Sequence, residues 1–564
     1  MQRDPRALVH RVRPAEPLVL ELDLTEPLLI EPPRDPLTAA RSRRRPRLDD
    51  IIDGLRRAET DPDVHAVIVK LGGSPFGMAL AQELREVFVR FSRTGKPVVA
   101  WAETFGEFGP GSVGYYLASA CDEVWIQESG DLCLTGVGTV ATFLRDALDR
   151  VGIDVELGQR YEYKNAANTF TERSMTPAHR EAVTRLVTSI AEQLVDGVAE
   201  GRALAPERVR ELIDQSPLSA GDAHSAGLVD HVGYRDEVYE AVRRRVGGTM
   251  RLRFVGRYRH SATAALSNRV AGRAGAKVAL IYGTGGIRVG RSGRSPLGGT
   301  SMGSNTVSAA FRSAVADDDV KAIVFRVDSR GGSYVASDTI RREVVLARRA
   351  GKPVVVSMGE VAGSGGYFVA MAADTVLAQP TTLTGSIGVF GGKAVLDGLL
   401  SRIGIGTDPV ADGANALMFS ARRRYDESQL ALLERWLDRV YDDFTAKVAA
   451  DRGLSREHVH DVARGRVWTG ADAREHRLID DFGGLSAAVE LARRRAGLAP
   501  RDDTVDVRVF PHLSPVDRLR PAQSSEDPSA AAVRLEAWGR FSDLAAGIGL
   551  PAAGPLVMPT GWPT

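Results

Sequence analysis

Short runs of branched apolar residues recur along the chain and end at glycine, serine or aspartate. HAVIVKL (65–71), PVVAWAE (97–103), KAIVFRV (321–327) and PVVVSM (353–358) are apolar at nearly every position. Runs of that length without strict alternation predict strands of a parallel sheet covered on both faces. Between them, 77–93 and 334–350 place apolar residues at helical spacing, and so do the longer stretches 177–201 and 427–451. Strands alternating with helices predict an α/β fold with right-handed crossovers.

The pattern is written twice. DPDVHAVIVKLGGS (61–74) matches DDDVKAIVFRVDSRGGS (317–333), and GKPVVAW (95–101) matches GKPVVVS (351–357). GSVGYYLASACDEVWI (111–126) matches GSGGYFVAMAADTVLA (363–378), and LTGVGT (134–139) matches LTGSIGV (383–389). PLSAGDAHSAGLVDHVG (217–233) matches VWTGADAREHRLIDDFGG (467–484). Ordered blocks at slowly drifting offsets define two homologous halves. The expected division is an N-terminal extension (1–49), a first half (50–250), an inter-half strand and Gly/Ser loop (251–304), a second half (305–500) and a tail (501–564). Residues 283–304 read as a mobile Gly/Ser/Arg loop, 31–47 as an exposed basic linker, and 544–558 as loop.

Composition narrows the function classes. The 564 residues carry 73 basic and 72 acidic side chains, a net charge of +1, which argues against bulk electrostatic nucleic-acid binding. Only 8 of the basic residues are lysine, so a role needing a deprotonatable amine has few candidates. Two cysteines, Cys121 and Cys133, exclude a disulfide scaffold and a Cys-rich zinc site, and both read as buried hydrophobes. No signal peptide and no 18-residue apolar stretch is visible, so the expected location is cytoplasmic, or peripheral at the cytoplasmic membrane.

Three small-residue loops carry candidate chemistry. EVAGSGGYF (360–368) follows a strand and precedes a helix, which exposes Ser364 at a helix N-terminus. By itself that serine is either an N-cap or a nucleophile. VDSRGGS (327–333) ends a strand in two glycines, and TTLTGSIGVFGG (381–392) centres on Ser386. GTGGIRVG (283–290) imitates a dinucleotide loop, but Arg288 replaces its third glycine; no cofactor and no metal is expected. His179 reads as a surface residue. Lys96 and Lys352 are repeat-equivalent and read as structural.

Taken together, DSRGGSYVASD, AGSGGY, TGSIGVFG and VWTGADAREHRLID closely resemble the signal peptide peptidase A (protease IV) family, in its long tandem-duplicated form. The resemblance spans about residues 50–497. It implies two tandem ClpP/crotonase-like spiral domains and a serine endopeptidase that cleaves apolar peptides, such as signal peptide remnants, with a Ser–Lys dyad. It implies Ser364 as nucleophile, and Lys164, in QRYEYKNAANTF (159–170), as base. It further implies Ser386 orienting the amine and the N–H groups of Gly332 and Gly365 as oxyanion hole. A homotetramer, possible peripheral membrane contact and no nucleic acid complete the expectation. The second half has no lysine in the stretch matching Lys164 (411–429), and the first half has Val137 where the second has Ser386. Each half keeps what the other lost; Ser112, aligned with Ser364, reads as a relic.

Two departures from the family pattern stand out. Arg330 occupies the position of a proline before the glycine pair, and the usual N-terminal anchor is not seen. They motivate an alternative, a catalytically silent peptide-binding scaffold. A crotonase-type acyl-CoA enzyme is a further alternative resting on fold alone.

Overall fold

A computed structural model describes residues 16–32, 45–73, 75–107, 109–259, 276–295, 299–498, 505–511, 534–535 and 556–558. The branched apolar runs are the buried central strands of two parallel sheets. The first sheet runs His231–Val232, Glu123–Ile126, Val98–Ala102, Val64–Leu71, Leu18–Asp23, Arg251–Phe254. The second repeats that order: Asp481–Phe482, Thr375–Ala378, Val354–Gly363, Val320–Ser329, Lys277–Thr284, Asp506–Val509. The architecture is mixed α/β with two tandem parallel sheets.

The duplication extends to single hydrogen bonds. Lys96 Nζ donates to the carbonyls of Ala58 and Asp61, and Lys352 Nζ to those of Ala314 and Asp317, 256 residues on. Each lysine thus closes the C-terminal end of a helix, where free carbonyls need donors. Tyr115 and Tyr367 likewise each donate to a buried carbonyl, of Leu228 and Leu478. Cys121 and Cys133 are both buried and free, as expected.

The halves interlock. Helix Met78–Ser92 of the first half docks on the second. Its Glu83 forms a fully buried ion pair with Arg326 at 2.7 Å, and Glu360 accepts the Leu80 N–H at that helix's first turn. Gln82 accepts from both N–H and hydroxyl of Thr381, and Arg185 grips Asp472 through two nitrogens. Strand Asp154–Gln159 of the first half pairs antiparallel with Phe390–Val395 of the second.

The Gly/Ser/Arg stretch 283–304 is not the mobile loop its composition suggested. Its described residues form strands Gly286–Arg288, Gly293–Ser295 and Gly299–Gly303 of a small sheet that also contains Gly331–Gly332. Some of its glycines serve close approach rather than freedom. A Cβ on Gly285 (φ 87°) would stand 2.0 Å from the Thr300 carbonyl oxygen, and one on Gly303 2.1 Å from the Arg291 carbonyl carbon. Of the stretch read as a C-terminal loop, Leu556–Val557 is a strand on the edge of the same sheet; 544–555 lie outside the described residues, as do 33–44 of the basic linker. Among the described residues, no helix is long and apolar enough to cross a membrane.

Candidate active site

Two adjacent parallel strands set two serines side by side. Val354–Gly363 pairs with Leu383–Gly385 in a register that matches Gly363 with Gly385. The next residues on the two strands are Ser364 and Ser386. Both leave the sheet with positive φ, 55° and 51°, where L-residues are rarely found. Two main-chain hydrogen bonds hold these turns: Ser364 N–H to the Gly385 carbonyl at 2.8 Å and Ser386 N–H to the Arg466 carbonyl at 2.6 Å. Strain of this kind, of order ~1–3 kcal/mol per residue, persists where surrounding structure imposes it and clusters at functional sites.

The first half supplies the amine. Beyond strand Asp154–Gln159, the Arg160 N–H continues the antiparallel pairing to the Val389 carbonyl, which brings 160–164 back along the second half toward Ser386. Arg160 is tied to Glu434 and Asp438. Lys164 then passes over two glycines. A Cβ on Gly465 would lie 2.6 Å from the Lys164 main chain, and one on Gly388 3.2 Å from its Cδ.

Lys164 Nζ ends 2.9 Å from Ser364 Oγ, 3.0 Å from Ser386 Oγ and 3.0 Å from the Ser386 carbonyl oxygen. All three side chains are fully buried. Burial, with no carboxylate to offset it, pushes the Lys164 pKa down to about 7. The geometry suits the neutral amine. Its two N–H groups can donate to the carbonyl and hydroxyl of Ser386, and its lone pair then faces the Ser364 hydroxyl.

Facing the serine are the glycines. A Cβ on Gly365 would meet Gly331 Cα and Gly332 N, each at 3.1 Å, so the helix start after Ser364 and the strand Gly331–Gly332 touch main chain to main chain. Helix Gly365–Ala370 begins at this point, so its first N–H groups lie beside the serine.

The peptidase family S49 model matches the chain twice, over residues 90–247 and 346–499. The chain belongs to peptidase family S49. It is 32% identical to Protease 4 of Salmonella typhi over 464 residues, covering 80% of this chain and 72% of that protein. It is 30% identical over 457 residues to the chloroplastic serine protease SPPA of Arabidopsis thaliana, covering 80% and 66%. Protease 4 of Haemophilus influenzae is 27% identical over 522 residues, covering 89% and 80%. This S49 chain is a serine-type protease with a tandem duplication.

In the first half of the S49 chain, Ser112 stands where Ser364 stands in the second. Its hydroxyl lies 3.2 Å from both N and O of Gly136. Arg330 is near enough to the half-buried Asp328 for their charges to interact: desolvation raises the Asp328 pKa, and Arg326 and Arg330 counter that rise. The arginine in the proline position thus helps balance a desolvated carboxyl two residues before it. His179 is not a surface residue. It is buried in the first turn of helix Pro177–Arg202, edge-on to Phe143, and burial lowers its pKa. Sequence reading missed Gly465, Gly388 and Glu360. Their roles are contacts between segments far apart in the chain; Glu360 and Gly388 lie inside loops already singled out, but those motifs do not signal such contacts, and Gly465 lies in none of them.

Proposed function

We propose that this protease is an endopeptidase that works through a composite dyad, Ser364 as nucleophile and Lys164 as general base. The observation that carries the reading is a fully buried lysine amine 2.9 Å from a serine hydroxyl on a strained turn. Serine attacks only when a base takes its proton, and lysine can serve only if its ammonium is disfavoured, as burial does here. Neutral Lys164 accepts the Ser364 proton as Oγ attacks the substrate carbonyl. The resulting ammonium donates that proton to the leaving amine, and the same amine then activates water against the acyl-enzyme. Ser386 holds the amine through two acceptors and keeps its lone pair on Ser364.

The N–H groups of Gly332 and Gly365 are the proposed oxyanion donors. Each such donor contributes roughly 3–4 kcal/mol of transition-state stabilisation. The proposed substrates are apolar peptides, signal peptide remnants among them. The halves are proposed as ClpP/crotonase-like spirals, and the protein as a homotetramer. The test is hydrolysis of a fluorogenic apolar peptide by purified Ser364→Ala and Lys164→Ala. Each is expected to lose at least ~1,000-fold in kcat/KM while still unfolding in one cooperative thermal melt. Activity retained in either variant overturns the dyad.

A further inference from the structure

The tail strand Leu556–Val557 lies on the glycine strand beside the Ser364 turn. It pairs antiparallel with Gly331–Gly332, Gly332 opposite Leu556 and Gly331 opposite Val557. The pairing continues with the Met558 N–H donating to the Arg330 carbonyl at 2.7 Å. Extended peptides add to exposed strand edges in this way, the main chain giving affinity and side-chain pockets giving selectivity. The edge used here carries a proposed oxyanion donor.

The fit is close at the reacting centre. A Cβ on Gly331 would meet both the Leu556 carbonyl oxygen, at 2.0 Å, and Gly365 N, at 2.6 Å. The Leu556 carbonyl and the first N–H of the helix after Ser364 therefore crowd the same side of Gly331. A Cβ on Gly363, the residue before Ser364, would stand 2.5 Å from Met558 Sδ. Leu556 and Met558 are both fully buried, and Leu556 joins the second-half core. Ser364 itself is fully buried, so a substrate can reach it only after something moves.

We propose that the segment around Leu556–Met558 is an intramolecular occupant of the substrate groove, which keeps this protease closed until the segment leaves. The proposal rests on the reading of Ser364 and Lys164 as the peptidase centre. A tethered occupant competes intramolecularly, at an effective rather than a bulk concentration. Such an occupant raises the apparent KM for substrate and leaves kcat untouched. The tail is not covalently changed in this scheme; it occupies and withdraws.

Three proteins test it: the full chain, a chain ending at Gly554, and the full-length double variant Leu556→Asp, Met558→Asp, which keeps the length should truncation impair folding. Each is checked by thermal melt and assayed with a fluorogenic apolar peptide. The expected result is a KM lowered by ~10-fold or more in both altered chains, with kcat within about 2-fold. A synthetic GPLVMPT peptide should inhibit the truncated chain competitively and the full chain far less. A separate arm needs no catalysis. Fluorescein-labelled GPLVMPT should bind Ser364→Ala in the truncated background and not in the full-length background. Equal binding to both backgrounds, or none to either, overturns the tail proposal. So does an unchanged KM with no inhibition by the peptide. Absence of hydrolysis by all chains, with background-dependent binding intact, would instead count against the peptidase centre and leave the occupant in place.

Discussion

Lys164 and Ser364 are 200 residues apart in the chain and 2.9 Å apart in the fold. They come from different halves of a duplication, so neither repeat holds both. In the proposed dyad, lysine serves through its proton, not its charge. Arginine stays charged at any working pH and cannot accept the serine proton. Lys164→Arg is therefore expected to be as inactive as Lys164→Ala, down by at least ~1,000-fold in kcat/KM, within the range for general-base catalysis. Peptide hydrolysis by both variants checks this.

In the proposed dyad, a base with a pKa near 7 sets the pH profile. With burial holding Lys164 at about 7, the neutral amine fraction rises through that value. The plot of kcat/KM against pH should climb through an apparent pKa near 7 and flatten above it. A midpoint near that of free lysine, ~10.4, would mean that the amine is not desolvated as found.

The same burial leaves a mark on stability. The folded pKa of Lys164 lies below its unfolded value, so the folded chain binds fewer protons and stability increases as pH rises from about 7 to 10.5. Below that window the full cost of burying the ammonium is present. Lys164→Met should therefore be more stable than the natural chain at pH 6, by roughly 3–5 kcal/mol, with the gain shrinking toward pH 10. Glu360, pushed up to about 7 by burial, acts in the opposite sense but is present in both proteins. Denaturant unfolding at the two pH values reads the difference.

Ser386 offers Lys164 two acceptors, and Ser386→Ala removes one of them. A positioning role predicts a kcat lower by roughly 10-fold, a little-changed KM and a shifted pH midpoint. A purely structural role would lower the melting temperature and leave the pH midpoint in place. Ser386→Thr, which restores the hydroxyl, should recover part of the activity.

Glu83 and Arg326 join the halves as a fully buried pair. Removing one partner of such a pair leaves a buried charge and costs roughly 3–5 kcal/mol. Glu83→Ala should unfold at lower denaturant and lose activity through the interface that aligns Lys164 with Ser364. Glu83→Gln, which keeps the shape and one acceptor, should lose less.

Much of the fold was readable from residue pattern. The branched runs 65–71 and 321–327 became central strands because a doubly covered strand has no polar face to hide, and the paired blocks foretold two sheets of one strand order. The pairing of Lys164 with Ser364 was reachable through the resemblance to the signal peptide peptidase A family, supported by complementary loss between the halves and by the scarcity of lysine. Its geometry was not. It depends on the antiparallel pairing of 154–159 with 390–395, where VELGQ and FGGKA carry weak strand preference, and on room left by Gly388 and Gly465. Glycine density misled in 283–304, because the same residue that permits motion also permits main chains to touch. His179 misled because its helix start is capped by Thr176 and lies under Phe143, a contact from 36 residues away.

The most direct test of the composite dyad is chemical. The protein is treated with an active-site-directed fluorophosphonate, digested, and mapped by mass spectrometry. The expected result is one adduct, on Ser364, formed faster as pH rises through about 7 and absent from Lys164→Ala. An adduct on Ser112, or equal labelling of Ser364 in the presence and absence of Lys164, would contradict the account.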